Sequence, residues 1–233
     1  MTPQLATVAL DCLLVRLFER IEETNLPWLT AAAERLRAVF GEALVELVPS
    51  YTTLLVQYDL LVLDERQARE RVEAALVDLD AAPAQGGRRH ELPVWYHPSV
   101  GPDLERLAAR AGMGIDELIR HHGARDYAVF ALGFAPGFAF LGLVEEALAA
   151  PRLASPRPRV AAGSVGIAER QTAVYPLASP GGWNLIGRCP LRLFDPAREG
   201  YSLLLPGDCV RFVAIGHAEF VRLGGDDNPL EGP

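Results

Sequence analysis

The side chains in this sequence best suited to proton transfer, amide reading and anion binding are His122, Gln171 and Arg188. His121 and His122 lie close in sequence to Asp126 and Tyr127, and an imidazole beside a carboxylate exchanges protons near neutral pH. Their place at the end of a predicted helix favours the protonated ring. The pair therefore reads either as a general acid or base or as a cap on the helix terminus. The Gln171 amide offers a donor and an acceptor, the combination that reads a lactam; with Glu169, Arg170 and Thr172 it equally forms a tight hairpin turn. Arg188 carries a planar fork of donors for a carboxylate or phosphate. An ion pair with Asp195, across an apolar stretch, is its structural alternative.

Around these side chains, four segments are dense in Gly, Pro and small polar residues: 133–142 (GFAPGFAFLG), 163–176 (GSVGIAERQTAVYP), 179–188 (SPGGWNLIGR) and 206–212 (PGDCVRF). Lacking a Cβ, glycine lets backbone amides approach a ligand or adopt positive φ. Gly163, Gly166, Gly181 and Gly182 are therefore candidates for an oxyanion or phosphate nest, although the corners of a β-barrel demand the same glycines. Ser164 lacks the G-x-S-x-G surroundings of a nucleophile elbow and reads as a structural or ligand-bonding hydroxyl. Ser179 opens a Ser-Pro-Gly-Gly turn. Trp183, following two glycines, is either a core aromatic or the wall of a pocket.

All 22 basic residues are arginine. The chain therefore supplies no Schiff-base lysine, no Walker-type phosphate lysine and no biotin-bearing lysine. With 30 acidic residues the net charge is −8, which excludes a general attraction to nucleic-acid phosphates. Cys12, Cys189 and Cys209 are widely separated and lack metal-ligand spacing, so no metal site and no disulfide framework is expected. No apolar run reaches the roughly 18–20 residues of a membrane span, and the N-terminus does not read as a secretory leader. A soluble, cytoplasmic protein without a membrane partner is expected.

Half of the residues are hydrophobic, enough for two cores, and the pattern predicts an α+β chain with domains at 1–96 and 97–233. Strands are expected at 12–18, 43–49, 52–58 and 89–96. One helix is expected over 26–40, with Asn25 as N-cap, Pro27 in the first turn and Gly41 as the stop. A second begins after the cap Asp64 and buries Ala68, Val72, Ala75, Leu76 and Leu79. The resulting β-α-β-β-α-β order is the split, ferredoxin-like arrangement, followed by an Ala-Pro-Gly-rich linker at 81–88. Two short helices, 102–111 and 115–122, then precede a Gly- and Pro-broken stretch, 126–223, that predicts a β-barrel or sandwich.

Taken in order, GFAPGF-x-FLG at 133–142, AGSVGIA at 162–168, QT-x-x-YP at 171–176, SPGGW-x-LIGR at 179–188, LFDP at 193–196 and PGD-x-VRF at 206–212 resemble one family. It is the family of 5-oxoprolinase B subunits, also called allophanate hydrolase subunit 1, which includes the Kip-type inhibitor of a sporulation histidine kinase. VPSYTTLLVQYD at 48–59 and GPDLERLA at 101–108 extend the likeness into the first half. Where the family pattern reads Ile-Ala-Gly before Gln-Thr, this chain has Ile167-Ala168-Glu169-Arg170, placing a charged pair beside the expected site.

The resemblance implies a ferredoxin-like N-terminal domain followed by a cyclophilin-like β-barrel. It also implies assembly with subunits C and A into a complex that opens the lactam of 5-oxoproline to glutamate using ATP. The expected site has His122, Gln171 and Arg188 as catalytic groups, with Gly163, Ser164, Gly166, Thr172, Ser179, Gly181, Gly182 and Trp183 around the substrate. ATP is expected to be held by the assembled complex, and the sequence locates neither it nor magnesium. Two other functions are compatible with the family. One is a regulatory protein that inhibits a sensor histidine kinase; the other is a carboxyltransferase or allophanate-type amide-metabolism subunit whose biotin arrives on another chain.

Overall fold

Alternation of buried and half-buried positions along the two central strands builds the first sheet. A hairpin of β1 (Gln4–Ala9) and β2 (Cys12–Arg16) leads into helix α1 (Leu26–Phe40). Strands β3 (Leu44–Pro49) and β4 (Thr53–Tyr58) and helix α2 (Glu65–Leu76) follow. The strands pair antiparallel in the order β1-β2-β4-β3. Leu13 and Val15 of β2 and Leu54, Val56 and Tyr58 of β4 are buried against Leu29, Ala32, Leu36 and Phe40 of α1 and Ala68, Val72 and Ala75 of α2. Period two on the strands thus meets helical spacing on the helices, and that match encloses the core.

Asp64 caps α2 as its position predicts: its carboxylate accepts from the Gln67 amide at 2.8 Å, while the Gln67 side chain accepts from the Asp64 amide at 3.0 Å. This reciprocal pair satisfies two otherwise orphaned donors. Asp64→Ala is expected to lower stability by about 1 kcal/mol, read as a shift in the urea midpoint. Asn25 behaves differently from expectation, because its side-chain amide donates to the Arg20 carbonyl at 2.6 Å and makes no cap bond to the helix.

The structure, a computed structural model, describes residues 3–81 and 87–229, and the chain divides into two compact units, Met1–Gly86 and Gly87–Pro233. Most of the expected linker, 82–86, lies outside the described residues. The strand expected at 89–96 forms as β5 (Arg89–Val94), but it belongs to the second unit, where it runs parallel to β13 (Cys209–Ala214). In the first sheet the place beside β2 is taken by β1. The ferredoxin-like layer is retained, with an N-terminal strand standing where the last strand of a split β-α-β would pair.

The second unit continues with α3 (Leu104–Ala111), α4 (Ile115–Gly123), β6 (Asp126–Leu132), β7 (Ala139–Gly142) and β8 (Arg157–Val160). After these come β9 (Ser164–Ala168), β10 (Gln171–Val174), β11 (Ser179–Gly181), β12 (Asn184–Arg188), β13 and α5 (His217–Arg222). Seven strands form one sheet in the order β12-β9-β10-β7-β6-β13-β5, and β8 and β11 make a separate ribbon. The two ends of the large sheet meet where Trp95 and Arg188 exchange backbone hydrogen bonds of 2.9 Å each. This bridge nearly closes a barrel and supports the cyclophilin-like expectation.

Closure requires glycine at 187, where a Cβ would come within 2.8 Å of the Trp95 carbonyl oxygen. Inside the barrel lie Leu92, Val94, Val129, Leu141, Val165, Ile167, Val174, Ile186, Val210 and Phe212, with Leu104, Leu107 and Leu118 from α3 and α4. On the other face of β9, β10 and β12 a smaller aromatic cluster gathers Phe138, Val160, Tyr175, Trp183 and Leu185.

Candidate functional site

Strand register decides which expected site residues can meet. On β9, Val165 and Ile167 enter the barrel, so Ser164, Gly166 and Ala168 face the opposite side. Arg188 is the cross-strand partner of Ser164, which puts their side chains on that same outer face. The Arg188 side chain is only 2% exposed, and burial pulls its pKa below the usual guanidinium value, with Asp226 and Asp227 partly offsetting this. Its Nη1 donates to the carbonyls of Asp226 at 2.6 Å and Asn228 at 2.9 Å. The Asp226 carboxylate stands 4.0 Å from the same nitrogen.

Nε and Nη2 of Arg188 and Oγ of Ser164 are buried without a hydrogen-bond partner among the described residues. Beside them opens a cleft of about 530 Å³ lined by Gly163, Leu177, Arg188, Leu191, Phe194 and Asp226 among others. The expected Arg188–Asp195 ion pair is not what holds this arginine: the Asp195 carboxylate accepts from the Ala197 amide at 3.0 Å.

Gly163 lines the cleft with φ at +81°, a backbone conformation that strains any side chain. Its amide, however, donates to the Tyr175 carbonyl at 2.7 Å, and the Ser164 amide donates to Ala161 at 3.2 Å. Both amides are thus already engaged, and neither can serve as the expected oxyanion donor in this conformation. Gly166 sits within the ladder between β10 and β12, opposite Ala173 and Leu185. Gly181 pairs with Arg157 and Ser179 with Val160 in the small ribbon, while the Gly182 carbonyl accepts from Leu153 at 2.7 Å. The Ser179 hydroxyl is buried without a partner among the described residues. Trp183 packs edge-on against Phe138, with ring centroids 5.7 Å apart, and is 5% exposed.

His122 is drawn into the barrel interior with no exposed surface. Thr172 donates to the Gly166 carbonyl at 3.1 Å, so the His122 Nε2–H donates to Thr172 at 2.9 Å. Nδ1 is then the acceptor for the Tyr96 hydroxyl at 2.7 Å. The ring stacks on Phe212 at a centroid distance of 4.5 Å. Every polar atom of the imidazole is satisfied by protein, and burial drives its pKa down to about 3. This overturns the expectation of a protonated helix-end histidine, because desolvation outweighs the helix terminus. Asp126 pairs instead with Arg89 and Arg211, and His121 bonds Glu145 at 2.7 Å.

Gln171 begins β10 after the Glu169-Arg170 turn, half-exposed, opposite Ala168 on β9. Arg188 is opposite Ser164, so the two expected catalytic groups stand about 13 Å apart along β9 at the usual rise per residue. The structure joins His122 with Thr172, and Arg188 with Gly163 and Ser164; Gln171, next to Thr172 in β10, presents its side chain to the opposite face of the strand and stands away from Arg188.

The sequence reading missed a buried polar junction. Asp103, before α3, accepts from the Leu185 amide at 2.7 Å, from Arg106 at 3.0 Å and from buried Arg157 at 2.9 Å. Arg106 also reaches the Asn184 carbonyl oxygen at 2.6 Å, and the Asn184 amide donates to Pro151 and Ile167, each at 2.9 Å. The only signal in the sequence was that an arginine and an asparagine sit inside otherwise apolar or Pro-rich runs.

Among the described residues no group of three or more His, Cys, Asp or Glu side chains is placed to hold a metal ion. No helix among them is long and apolar enough to cross a membrane. Cys12, Cys189 and Cys209 form no disulfide, and burial pushes the Cys189 thiol up to about 12.

A family model described as carboxyltransferase domain, subdomain C and D, matches residues 3–204. The chain is 38% identical over 220 residues to a Bacillus subtilis protein named as the B subunit of 5-oxoprolinase, covering 90% of this chain and 92% of that one. Its structure is similar to the crystal structure of TTHA0988, with a TM-score of 0.77 and 38% identity over 88% of this chain. It spans 40% of that solved chain, less than half its length. The fold also recurs in the urea carboxylase of Kluyveromyces lactis, at a TM-score of 0.78 and 17% identity, over 97% of this chain and 23% of that one. With a domain match over most of its length and a relative of nearly equal extent, the chain belongs to the family of 5-oxoprolinase B subunits, built on carboxyltransferase subdomains C and D.

Proposed function

We propose that this chain is one subunit of an ATP-dependent 5-oxoprolinase that acts in the cytoplasm together with subunits C and A. The observation that carries the reading is the 38% identity, over 90% of this chain, to a protein named as a 5-oxoprolinase subunit. The geometry supports a shared rather than a self-sufficient site. Arg188 offers an anion-binding edge beside a cleft, Gln171 stands well away from it, and His122 is sealed in the core.

A lactam is a poor electrophile. Transfer of the γ-phosphoryl group of ATP to its carbonyl oxygen makes that oxygen a leaving group. Water then adds at the ring carbon, the C–N bond breaks with the nitrogen taking up a proton to leave γ-glutamyl phosphate, and a second water hydrolyses this acyl phosphate, giving glutamate, ADP and phosphate. Groups that orient the ring and neutralise charge are needed, and this chain supplies them from the Arg188 cleft. ATP is held by the assembled complex; this chain has no lysine for its phosphates, so any contact it makes to them comes from arginine or backbone amides.

ATP-dependent release of glutamate from 5-oxoproline is the direct test. It should appear with this chain and its partners together, and be absent from this chain alone and from the partners alone. Equal turnover by the partners without this chain removes the reading. The carboxyltransferase description of the matching family model favours a second reading, a carboxyl-transfer subunit. That reading predicts instead that the chain activates turnover of a carboxybiotin-bearing partner.

A further inference from the structure

A guanidinium can grip both oxygens of one carboxylate along two edges, the Nη1–Nη2 end and the Nε–Nη2 side. In Arg188 the end is already engaged, because Nη1 is held by the carbonyls of Asp226 and Asn228. The Nε–Nη2 side is free: both nitrogens are buried and make no hydrogen bond to the described residues. The Ser164 hydroxyl, on the cross-strand partner of Arg188, is in the same condition. Buried donors are almost always paired in folded proteins. Three unpaired groups sit on two cross-strand partners; Arg188 lines a cleft of about 530 Å³, as does Gly163 next to Ser164, and together they define a place for an acceptor with two oxygens.

We infer that the Nε–Nη2 edge of Arg188, with the Ser164 hydroxyl, binds the carboxylate of a small organic acid in this cleft. The segment Gly224–Asn228 holds the fork in position from its other end. Charge favours a carboxylate over a phosphate: the Asp226 carboxylate lies 4.0 Å from Nη1 and opposes a second negative charge. Leu177, Leu191 and Phe194 on the cleft wall suit the hydrocarbon body of such an acid. The inference deepens the preceding reading by naming the part of the substrate that this chain holds. It rests on that reading only for the identity of the acid, 5-oxoproline.

The test titrates 5-oxoproline and its carboxamide analogue into the isolated chain and into the complex, following binding by calorimetry and the arginine Nε–H resonances by NMR. The acid should bind and shift the Arg188 Nε–H signal, and the carboxamide should bind about 100-fold more weakly. Arg188→Lys keeps the charge and loses the fork, and should weaken binding of the acid by about tenfold or more. Ser164→Ala should weaken it less, and it keeps the test alive if the arginine variant fails to fold.

In the complex, Arg188→Lys should raise KM for 5-oxoproline. Equal binding of acid and carboxamide, no binding to chain or complex, or an unchanged KM overturns the inference. If the acid binds as described but the complete complex forms no glutamate, the assignment of function fails and the carboxylate site stands.

Discussion

Asp103→Ala is expected to lower the stability of the second unit by about 3–5 kcal/mol, the range for removing one partner of a buried ion pair. The carboxylate is 7% exposed and faces Arg157, itself 9% exposed, at 2.9 Å. It also accepts from the Leu185 amide at 2.7 Å. Truncation leaves a buried guanidinium whose other contact is a 3.3 Å bond to the Trp183 carbonyl, together with a main-chain donor that water does not reach. Arg106, half-exposed, can turn to solvent, so its loss adds little. The segment before α3 would then be tied to β12 chiefly by the Asp103 amide bonded to the Leu185 carbonyl at 3.0 Å. Urea unfolding of the variant at neutral pH measures the effect, and a loss under about 1 kcal/mol would show that Arg157 finds water or another acceptor once the carboxylate is gone. Arg157→Met with Asp103→Leu should recover much of the loss, since an apolar pair of similar volume can replace a buried ion pair at little cost.

That junction shows what local pattern conveys and what it leaves out. Leu26–Phe40 and the Asp64 cap follow from spacing and from one side chain reaching three residues along, so the sequence reading found them. β1 escaped it because five of its six residues are exposed, leaving no period-two apolar face to detect. β5 was recognised as a strand but assigned to the wrong sheet. Its partner β13 lies more than a hundred residues away, and nothing within a strand's own pattern names a distant parallel neighbour. The site divides in the same way. Arg188, Ser164 and Gly163 were picked out by residue type, and register does bring them together. Residue type also singled out His122, yet burial decides its chemistry, and burial depends on Tyr96, Phe212 and Thr172 from three other segments. Asp103 drew no notice because a carboxylate at the start of a helix usually faces water.

The sealed histidine leads to the second large expectation, a loss of stability in mild acid. In the folded chain His122 holds a pKa of about 3 through desolvation, whereas a histidine in the unfolded chain titrates near 6.5. Above the unfolded value both states carry a neutral ring, and the protonation equilibrium favours neither. As pH falls below about 6.5 the unfolded state takes up a proton that the folded state refuses. Folding stability then drops by up to about 1.4 kcal/mol per pH unit, and the decline continues until the folded ring protonates near its own value. Between pH 6.5 and 5, before most carboxylates titrate, this single residue should remove about 1–2 kcal/mol. His122→Gln keeps a polar group against Tyr96 and Thr172 but cannot titrate. Whatever stability the variant starts from, its urea midpoint should change less over that interval than the wild type's. Parallel curves for the two proteins would mean that His122 exchanges protons with solvent in the folded state. The general acid–base role expected of it from the sequence would then return.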